Sequence, residues 1–389
     1  MTPAARLQAA IEVLDRVHAG AAPEAALTNW ARANRYAGSG DRAAVRDHVY
    51  DVLRRKRSCA ALGGAETGRG LVLGLLRGQG GDHAAFDGSR HAPAPLSPAE
   101  HAHLGADHPL SELVALDCPD WLAPRLRASL GADFAPVMEA LRHRAPVFLR
   151  ANLARTDRDA AIAALAEEGI DARPHPLAST AIEVTGNARR VRQSGAFAAG
   201  LVELQDAASQ AVVEALPSLK GLNVLDFCAG GGGKALAMAA LGARVHAHDI
   251  APARMKDIPD RAQRAGVHIT VTQRPAGPFD LVLVDAPCSG SGSWRRDPWG
   301  KWALDQARLD SLLRTQMQVL DQAARLVAPG GWLAYATCSL LRCENDLRIK
   351  AFLDQAAGYA VHGSLRLTPL DGGDGFFLAT LGRKTELSG

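Results

Sequence analysis

The 389-residue sequence has no apolar stretch that approaches the roughly 18 residues of a membrane span. Its first residues, "MTPAARLQAA", lack the apolar core of a secretory signal. The expectation is a cytoplasmic protein with no membrane partner. Cysteine is scarce too: Cys59, Cys118, Cys228, Cys288, Cys338 and Cys343 are the only six, and no two form a CxxC pair. That spacing excludes a zinc ribbon and a thioredoxin-like site. In a reducing compartment each thiol then reads singly, as a core residue or a nucleophile. A large charge excess is also missing, because 44 basic and 41 acidic side chains leave a formal net charge of only +3, too little to demand a polyanionic partner. Most of the basic side chains are arginine, which grips phosphate bidentately and stacks on bases, although GC-rich coding leaves the same mark.

What is present is ample apolar material. A 47% apolar and 22% charged composition over this length supports two or three domains with full cores. Thr2 as N-cap, Pro3 at the first helical position, and Leu7, Ile11 and Leu14 at helical spacing predict an opening helix. "DRAAVRDHVYDVLRRKR" sets Val45, Val49, Val52 and Leu53 on one face and ends in Arg54, Arg55, Lys56 and Arg57. That cluster reads as a solvated helix end, with a phosphate-contacting patch as the sharper alternative. Residues 60–108, rich in Gly, His and Pro, read as a solvated and partly flexible connection broken by one apolar patch, "LVLGLL". His101 and His103 have no cysteine or carboxylate cluster beside them, so no metal is expected.

"VFLRANLA" reads as a strand, "DRDAAIAALAEEGI" as a helix and "AIEVTG" as a strand, a small α/β unit ending near Gly200. "LVELQDAASQAVVEAL" then reads as the first helix of the next domain. The division expected is 1–115, helical with its connection; 116–200, small α/β of ferredoxin or RRM type; and 201–389, α/β of Rossmann type. In the last part strands and helices alternate, which implies a mostly parallel, doubly wound sheet. Ligands of such sheets lie beyond the carboxyl ends of the strands. Asp226, Asp249, Asp285 and Cys338 all fall at or near those ends.

"CAGGGGKA" is not a P-loop, since Cys228 and Ala235 stand where that motif needs Gly and Ser or Thr. Its glycines allow close backbone approach to a ligand at a helix N-terminus. Asp249 closes the second strand, where a carboxylate can accept both ribose hydroxyls; it could equally cap the helix that follows. Loop and acid together indicate a ribose-bearing cofactor, NAD or S-adenosylmethionine.

"DAPCSGSG" ends the apolar run "FDLVLV" with Asp285 and Cys288, and "LAYATCS" ends the next strand with Cys338. Carbon 5 of a pyrimidine becomes nucleophilic once a thiolate adds to carbon 6, and such chemistry needs a thiolate, an acid near ring nitrogen 3 and a methyl donor. A thiolate at neutral pH needs nearby positive charge, for which the donor's sulfonium and Arg295 or Arg296 are candidates. Either cysteine alone is more often a buried structural residue; two at adjacent strand ends reverse that.

"VLDFCAGGGGK", "DAPCSGSG", "RRDPWGKW" and "ATCSLLRCEND" resemble the successive motifs of the Sun-type RNA cytosine-5 methyltransferases, in particular the bacterial RsmB-like ribosomal RNA enzymes. "RAPVFLRAN" and "LVELQDAASQ" are similar to the segments before that family's catalytic domain, and "DRAAVRDHVYDVLRRKR" is similar to its NusB-like RNA-binding module. The resemblance implies an all-α NusB-like first domain and a Rossmann-like methyltransferase domain acting on 16S rRNA, in a monomer. It further implies that Cys338 attacks carbon 6, Cys288 assists product release and Asp285 contacts the cytosine near the cofactor. Cys228, Ala229, Gly230, Gly231, Gly232, Gly233 and Lys234 would wrap S-adenosylmethionine, with Asp249 on its ribose. Two positions depart from the family: Gly231 stands where Pro is usual, and no Asp lies between Gly266 and Asp280, leaving Gln273 to face the adenine. Rival readings are a tRNA cytosine-5 methyltransferase and a non-catalytic RNA-binding assembly factor; a NAD oxidoreductase leaves both cysteines and "RRDP" unexplained.

Overall fold

The structure, a computed structural model, describes residues 1–385. Its contacts divide the chain into two units: Met1–Arg144 with Trp294–Ala303, and Ala145–Ser293 with the chain from Leu304 onward.

The first unit is helical. Thr2 Oγ1 accepts from the Ala5 N–H at 3.1 Å, and Pro3 opens a helix to His18, as its sequence predicts. Leu7, Ile11 and Leu14 pack with Trp30 of helix Pro23–Ala33 and with Val45, Val49 and Val52 of helix Ser39–Arg54.

The stretch 60–108 corrects the reading of it as connection, because its first part is core. Lys56–Gly63 and Gly68–Gly78 are helices, and Leu71, Val72, Leu73 and Leu75 are buried. A Cβ on Gly74 would overlap the Cys59 carbonyl, and one on Gly63 would overlap that of Gly70. These glycines let two helix backbones touch, a use of glycine that composition does not separate from linker. Residues 79–97 carry no helix or strand before helix Pro98–Gly105. Among the described residues no cluster could hold a metal, and no helix is long and apolar enough to cross a membrane.

The basic cluster is neither a solvated end nor a free patch. Arg54 is buried, with Nε donating to the Arg295 carbonyl at 2.8 Å and Nη1 to Asp51 at 2.9 Å. Arg57 forks onto both carboxylate oxygens of Asp120, at 2.8 and 2.9 Å. In the same unit Pro298–Ala303 forms a short helix. Its Lys301 Nζ donates to the Arg54 carbonyl at 3.2 Å, and its Trp302 Nε1 donates to the Leu53 carbonyl at 2.6 Å. Those two carbonyls belong to the last turn of helix Ser39–Arg54, which has no intrahelical partners to offer them.

The second unit carries two sheets. The smaller has strands β1 (Val147–Ala151), β2 (Ala172–Pro174), β3 (Ala181–Val184) and β4 (Val202–Leu204) in the order β2-β3-β1-β4, all antiparallel. Helix Arg158–Glu167, capped by Asp157, crosses between β1 and β2. This order is that of a ferredoxin-like βαββαβ unit. Residues expected to begin a helix, "LVEL", instead form β4; the helix Ala207–Glu214 starts after the Asp206 cap. Three residues are too few to show a period, and β4 is recognised only by pairing with β1. Asn152 ties this sheet to its neighbour, its Nδ2 donating to the carbonyls of Gly200 at 2.8 Å and Ala265 at 2.7 Å.

The larger sheet holds β5 (Asn223–Asp226), β6 (Arg244–Ala247), β7 (Ile269–Val271), β8 (Phe279–Asp285), β9 (Val327–Thr337), β10 (Tyr359–Leu367) and β11 (Phe376–Arg383). Their order is β10-β11-β9-β8-β5-β6-β7. Strands β5 to β9 run parallel, while β11 is antiparallel to both β9 and β10, so the sheet is mixed. The run "FDLVLV" is buried on both faces, with Leu281 and Leu283 in one core and Val282 and Val284 in the other. From β5 the chain proceeds outward through β6 and β7, then returns to β8 on β5's other side. That reversal opens a crevice at the ends of β5 and β8.

Candidate active site

The expected site residues gather at the carboxyl ends of β5, β6, β8 and β9. The glycine loop follows β5 and enters helix Gly233–Ala240. The Ala229 N–H donates to the His248 carbonyl at 2.8 Å, which stitches the loop to the end of β6. Gly230 and Gly232 have φ of +51° and +81°, a region that side chains disfavour, and a Cβ on Gly232 would press into Ile258 at 2.8 Å. Gly231 is exposed, and its carbonyl is capped by Arg261. Asp249 is buried. Its Oδ2 accepts from the Gly230 N–H at 2.9 Å and Arg254 Nη1 at 3.0 Å, and its Oδ1 accepts from the Ala251 N–H at 2.9 Å. The carboxylate therefore both turns the chain and faces the loop. Gln273 is exposed beyond β7.

Three charged groups share the switch point. Lys234 is buried with Nζ 2.7 Å from Asp285 Oδ2. Burial opposes the ammonium charge, but Asp285, then Asp226 and Cys338, more than offset it, and the Lys234 pKa lies above its ordinary value. Asp226 ends β5. It is buried, its Oδ1 has no partner among the described residues, and burial followed by the Asp285 charge pushes its carboxyl up to about 7. The thiol of Cys228 is pushed up by burial and then by the acids Asp226, Asp285 and Asp249, so it lines the loop as a neutral group.

Cys288 and Cys338 come together, with their sulfurs 3.4 Å apart. Both follow strand ends: Cys288 is three residues beyond the end of β8, and Cys338 directly follows β9. Ser293 Oγ lies 4.0 Å from the Cys338 sulfur. The Cys338 hydrogen bond, burial, and the charges of Cys338 and Glu344 raise the Cys288 thiol well above its ordinary pKa. Within this unit the charge of Lys234 is coupled to Cys338.

Sequence reasoning missed Asp226 and the buried group Glu344, Ser289 and Ser339, which hydrogen bonds behind the two cysteines. Glu344 stands inside the quoted "CEND" five positions from Ser339, but Ser289 is 55 positions away, so only the fold connects the two cysteine loops through it.

A family profile described as "16S rRNA methyltransferase RsmB/F" matches residues 214–382, and one described as "Methyltr_RsmF/B-like, ferredoxin-like domain" matches residues 118–190. Ribosomal RNA small subunit methyltransferase B of Escherichia coli O6:K15:H31 is 35% identical over 301 residues, 72% of this chain and 70% of its own length. The protein of that name from Salmonella arizonae is 35% identical over 285 residues, 68% of this chain and 66% of its own length. Among solved structures, PH0851 superposes over 98% of this chain and 99% of its own, with a TM-score of 0.76 at 22% identity. A methyltransferase homologue from Pyrococcus horikoshii covers 74% of this chain and 100% of its own, with a TM-score of 0.62 at 24% identity. These two likenesses speak to the fold.

Proposed function

Because the chain belongs to the RsmB/F family of 16S rRNA methyltransferases, whose cofactor is S-adenosylmethionine, we propose that it methylates carbon 5 of a cytosine in 16S rRNA through a covalent thiolate adduct at carbon 6. The observation that carries this reading is the 3.4 Å approach of Cys288 and Cys338 beside the Lys234–Asp285 pair. The crevice suits the cofactor: Gly230 and Gly232 form a cradle without side chains, Asp249 is poised at the ribose position, and Asp226 offers an unpartnered oxygen. When bound, S-adenosylmethionine supplies an electrophilic methyl group.

In this reading the Cys338 sulfur forms a bond to carbon 6, and carbon 5 gains enamine character and takes the methyl. A base then removes the carbon-5 proton, and the electron pair of that C–H bond expels the Cys338 thiolate from carbon 6. Asp285, held by Lys234, orients the ring at nitrogen 3. In this reading Cys338 is the attacker and Cys288 assists release, the roles that the family resemblance implies. The target must be single-stranded or flipped, since carbon 6 is shielded in a stacked helix. The same reading gives RNA binding to a NusB-like domain over 1–115, RNA positioning to 116–200 and methyl transfer to 201–389.

Two linked measurements test it. Cys338→Ala should retain S-adenosylmethionine binding and lose tritium transfer from labelled donor to 16S rRNA, while Cys288→Ala should accumulate a protein–RNA adduct on a denaturing gel. Full activity of Cys338→Ala overturns the assignment. Bisulfite sequencing of total RNA with and without the gene identifies the substrate, and a missing mark in tRNA instead of 16S rRNA refutes the ribosomal target.

A further inference from the structure

Behind the two thiols lies a carboxylate that the proposed chemistry does not use. Glu344 is fully buried, and no ion pair involves it among the described residues. An uncompensated buried carboxylate is costly unless its lone pairs are filled. Here each oxygen accepts two hydrogen bonds. Oε1 takes the backbone N–H of Ser289 at 2.8 Å and Gln316 Nε2 at 3.0 Å. Oε2 takes the Ser289 hydroxyl at 2.5 Å and also the Ser339 hydroxyl.

Ser289 directly follows Cys288, and Ser339 directly follows Cys338. One side chain therefore grips the residue after each cysteine. The grip is closed on both sides. Ser291 Oγ lies 3.1 Å from the hydroxyls of Ser289 and Ser339, and it accepts the Leu340 N–H at 2.8 Å. Gln316 Nε2 also donates to the carbonyl of Pro287, the residue before Cys288, at 3.0 Å. Glu344 is itself anchored, since the Tyr335 hydroxyl of β9 donates to its carbonyl at 2.8 Å. Its neighbour Asn345 donates to the Ser339 carbonyl at 2.8 Å.

We propose that Glu344 is a positioning residue that sets the spacing of the two active-site thiols by clamping the loop behind Cys288 to the loop behind Cys338. The inference rests on the reading that both cysteines act in one methyl transfer. Proton removal and thiol release then need the second sulfur within a few ångströms of the first, and misplacement of a reacting group by about 1 Å costs roughly 100-fold in rate. Backbone hydrogen bonds from the Ala286 N–H to the Ala336 carbonyl and from the Gly292 N–H to the Cys338 carbonyl, each 2.9 Å, join the two segments on either side of Cys288, and the clamp adds the side-chain tie at the residue after each cysteine.

The test uses the full-length chain and two readouts. The first is methyl transfer to 16S rRNA, resolved into kcat, RNA KM and S-adenosylmethionine Kd. The second needs neither RNA nor activity: the rate at which diamide joins Cys288 to Cys338, read by peptide mass mapping. In that reaction the two thiols give up two protons and two electrons to the azo bond, which becomes a hydrazine. Glu344→Ala should lower kcat about 100-fold with KM and Kd within about twofold, and should slow disulfide formation about tenfold. Glu344→Gln should rescue most of both, because its amide oxygen can keep the Ser289 N–H and Gln316 while its NH2 faces the two hydroxyls. Wild-type kcat or wild-type disulfide rate in a Glu344→Ala protein that binds S-adenosylmethionine overturns the proposal. So does a Glu344→Gln variant as impaired as Glu344→Ala, since charge rather than placement is then what matters. If Glu344→Ala does not fold, the double variant Ser289→Ala/Ser339→Ala carries the same expectations. An active Cys338→Ala control breaks the catalytic reading alone and leaves the disulfide rate to judge the clamp.

Discussion

A carboxyl with no partner for one oxygen sits beneath the crevice, and its environment makes a measurable claim. Burial and the neighbouring Asp285 raise Asp226 to about 7. Between about pH 4 and 7 the folded chain then keeps a proton that the unfolded chain has released. Asp226 therefore lowers stability as pH rises through that window, and its contribution is constant above it. Asp226→Asn removes the effect, so the gap in unfolding free energy between the two proteins should shift in the variant's favour by on the order of 2 kcal/mol from pH 5 to pH 8. Urea unfolding at both pH values checks this; parallel pH profiles would place the titration elsewhere. Residue by residue, the legible part of the site was what lies in one short motif: Asp285 and Cys288 together, Cys338 at its strand end, Asp249 and the glycine loop. Lys234 was legible as a loop residue but not as the partner of Asp285, because that 2.7 Å contact joins the start of a helix to the end of a strand far away in sequence. Glu344 was hidden for the same reason.

Helices with clear caps and apolar spacing, such as Pro3–His18, and the buried strand β8 could be read directly. The elements that could not be read failed for two physical reasons. β4 is too short for a period. The helices Lys56–Gly63 and Gly68–Gly78 carry glycines whose role is contact between backbones, and glycine alone suggests a loop. That role predicts an asymmetry. Gly74→Ala should cost about 2 kcal/mol, since the new methyl meets the Cys59 backbone, and a gain in helix propensity of about 1 kcal/mol does not offset it. Gly105→Ala, in a helix position with nothing within 4 Å, should be neutral or slightly stabilising. Thermal melts of the two variants beside wild type decide it, and equal melting temperatures would show that the helix pair can part freely.

The two contact units do not correspond to two continuous pieces of chain, because Trp294–Ala303 counts with the helices of Met1–Arg144. Trp294 and Lys301 of that segment are buried, and Lys301 and Trp302 fill the last carbonyls of helix Ser39–Arg54. A fragment of residues 145–389 should accordingly expose this segment and aggregate, and co-expression with residues 1–144 should recover soluble material. A soluble, cooperatively melting 145–389 fragment would contradict it. The alternation of strands and helices revealed the larger sheet in advance, whereas this excursion left no periodic signal and emerged only from contacts.

The excursion also bears on inheritance. A chimera made by a single crossover near residue 144 would combine one relative's helices with another relative's Trp294–Ala303, a mismatch at Leu53 and Arg54. Exchanging the helical unit intact takes further crossovers on either side of the ten-residue segment, whose first residue lies only six positions beyond Cys288. Lineages that recombine within this gene are thus expected to pass on the helical unit and the cysteine loop as one block.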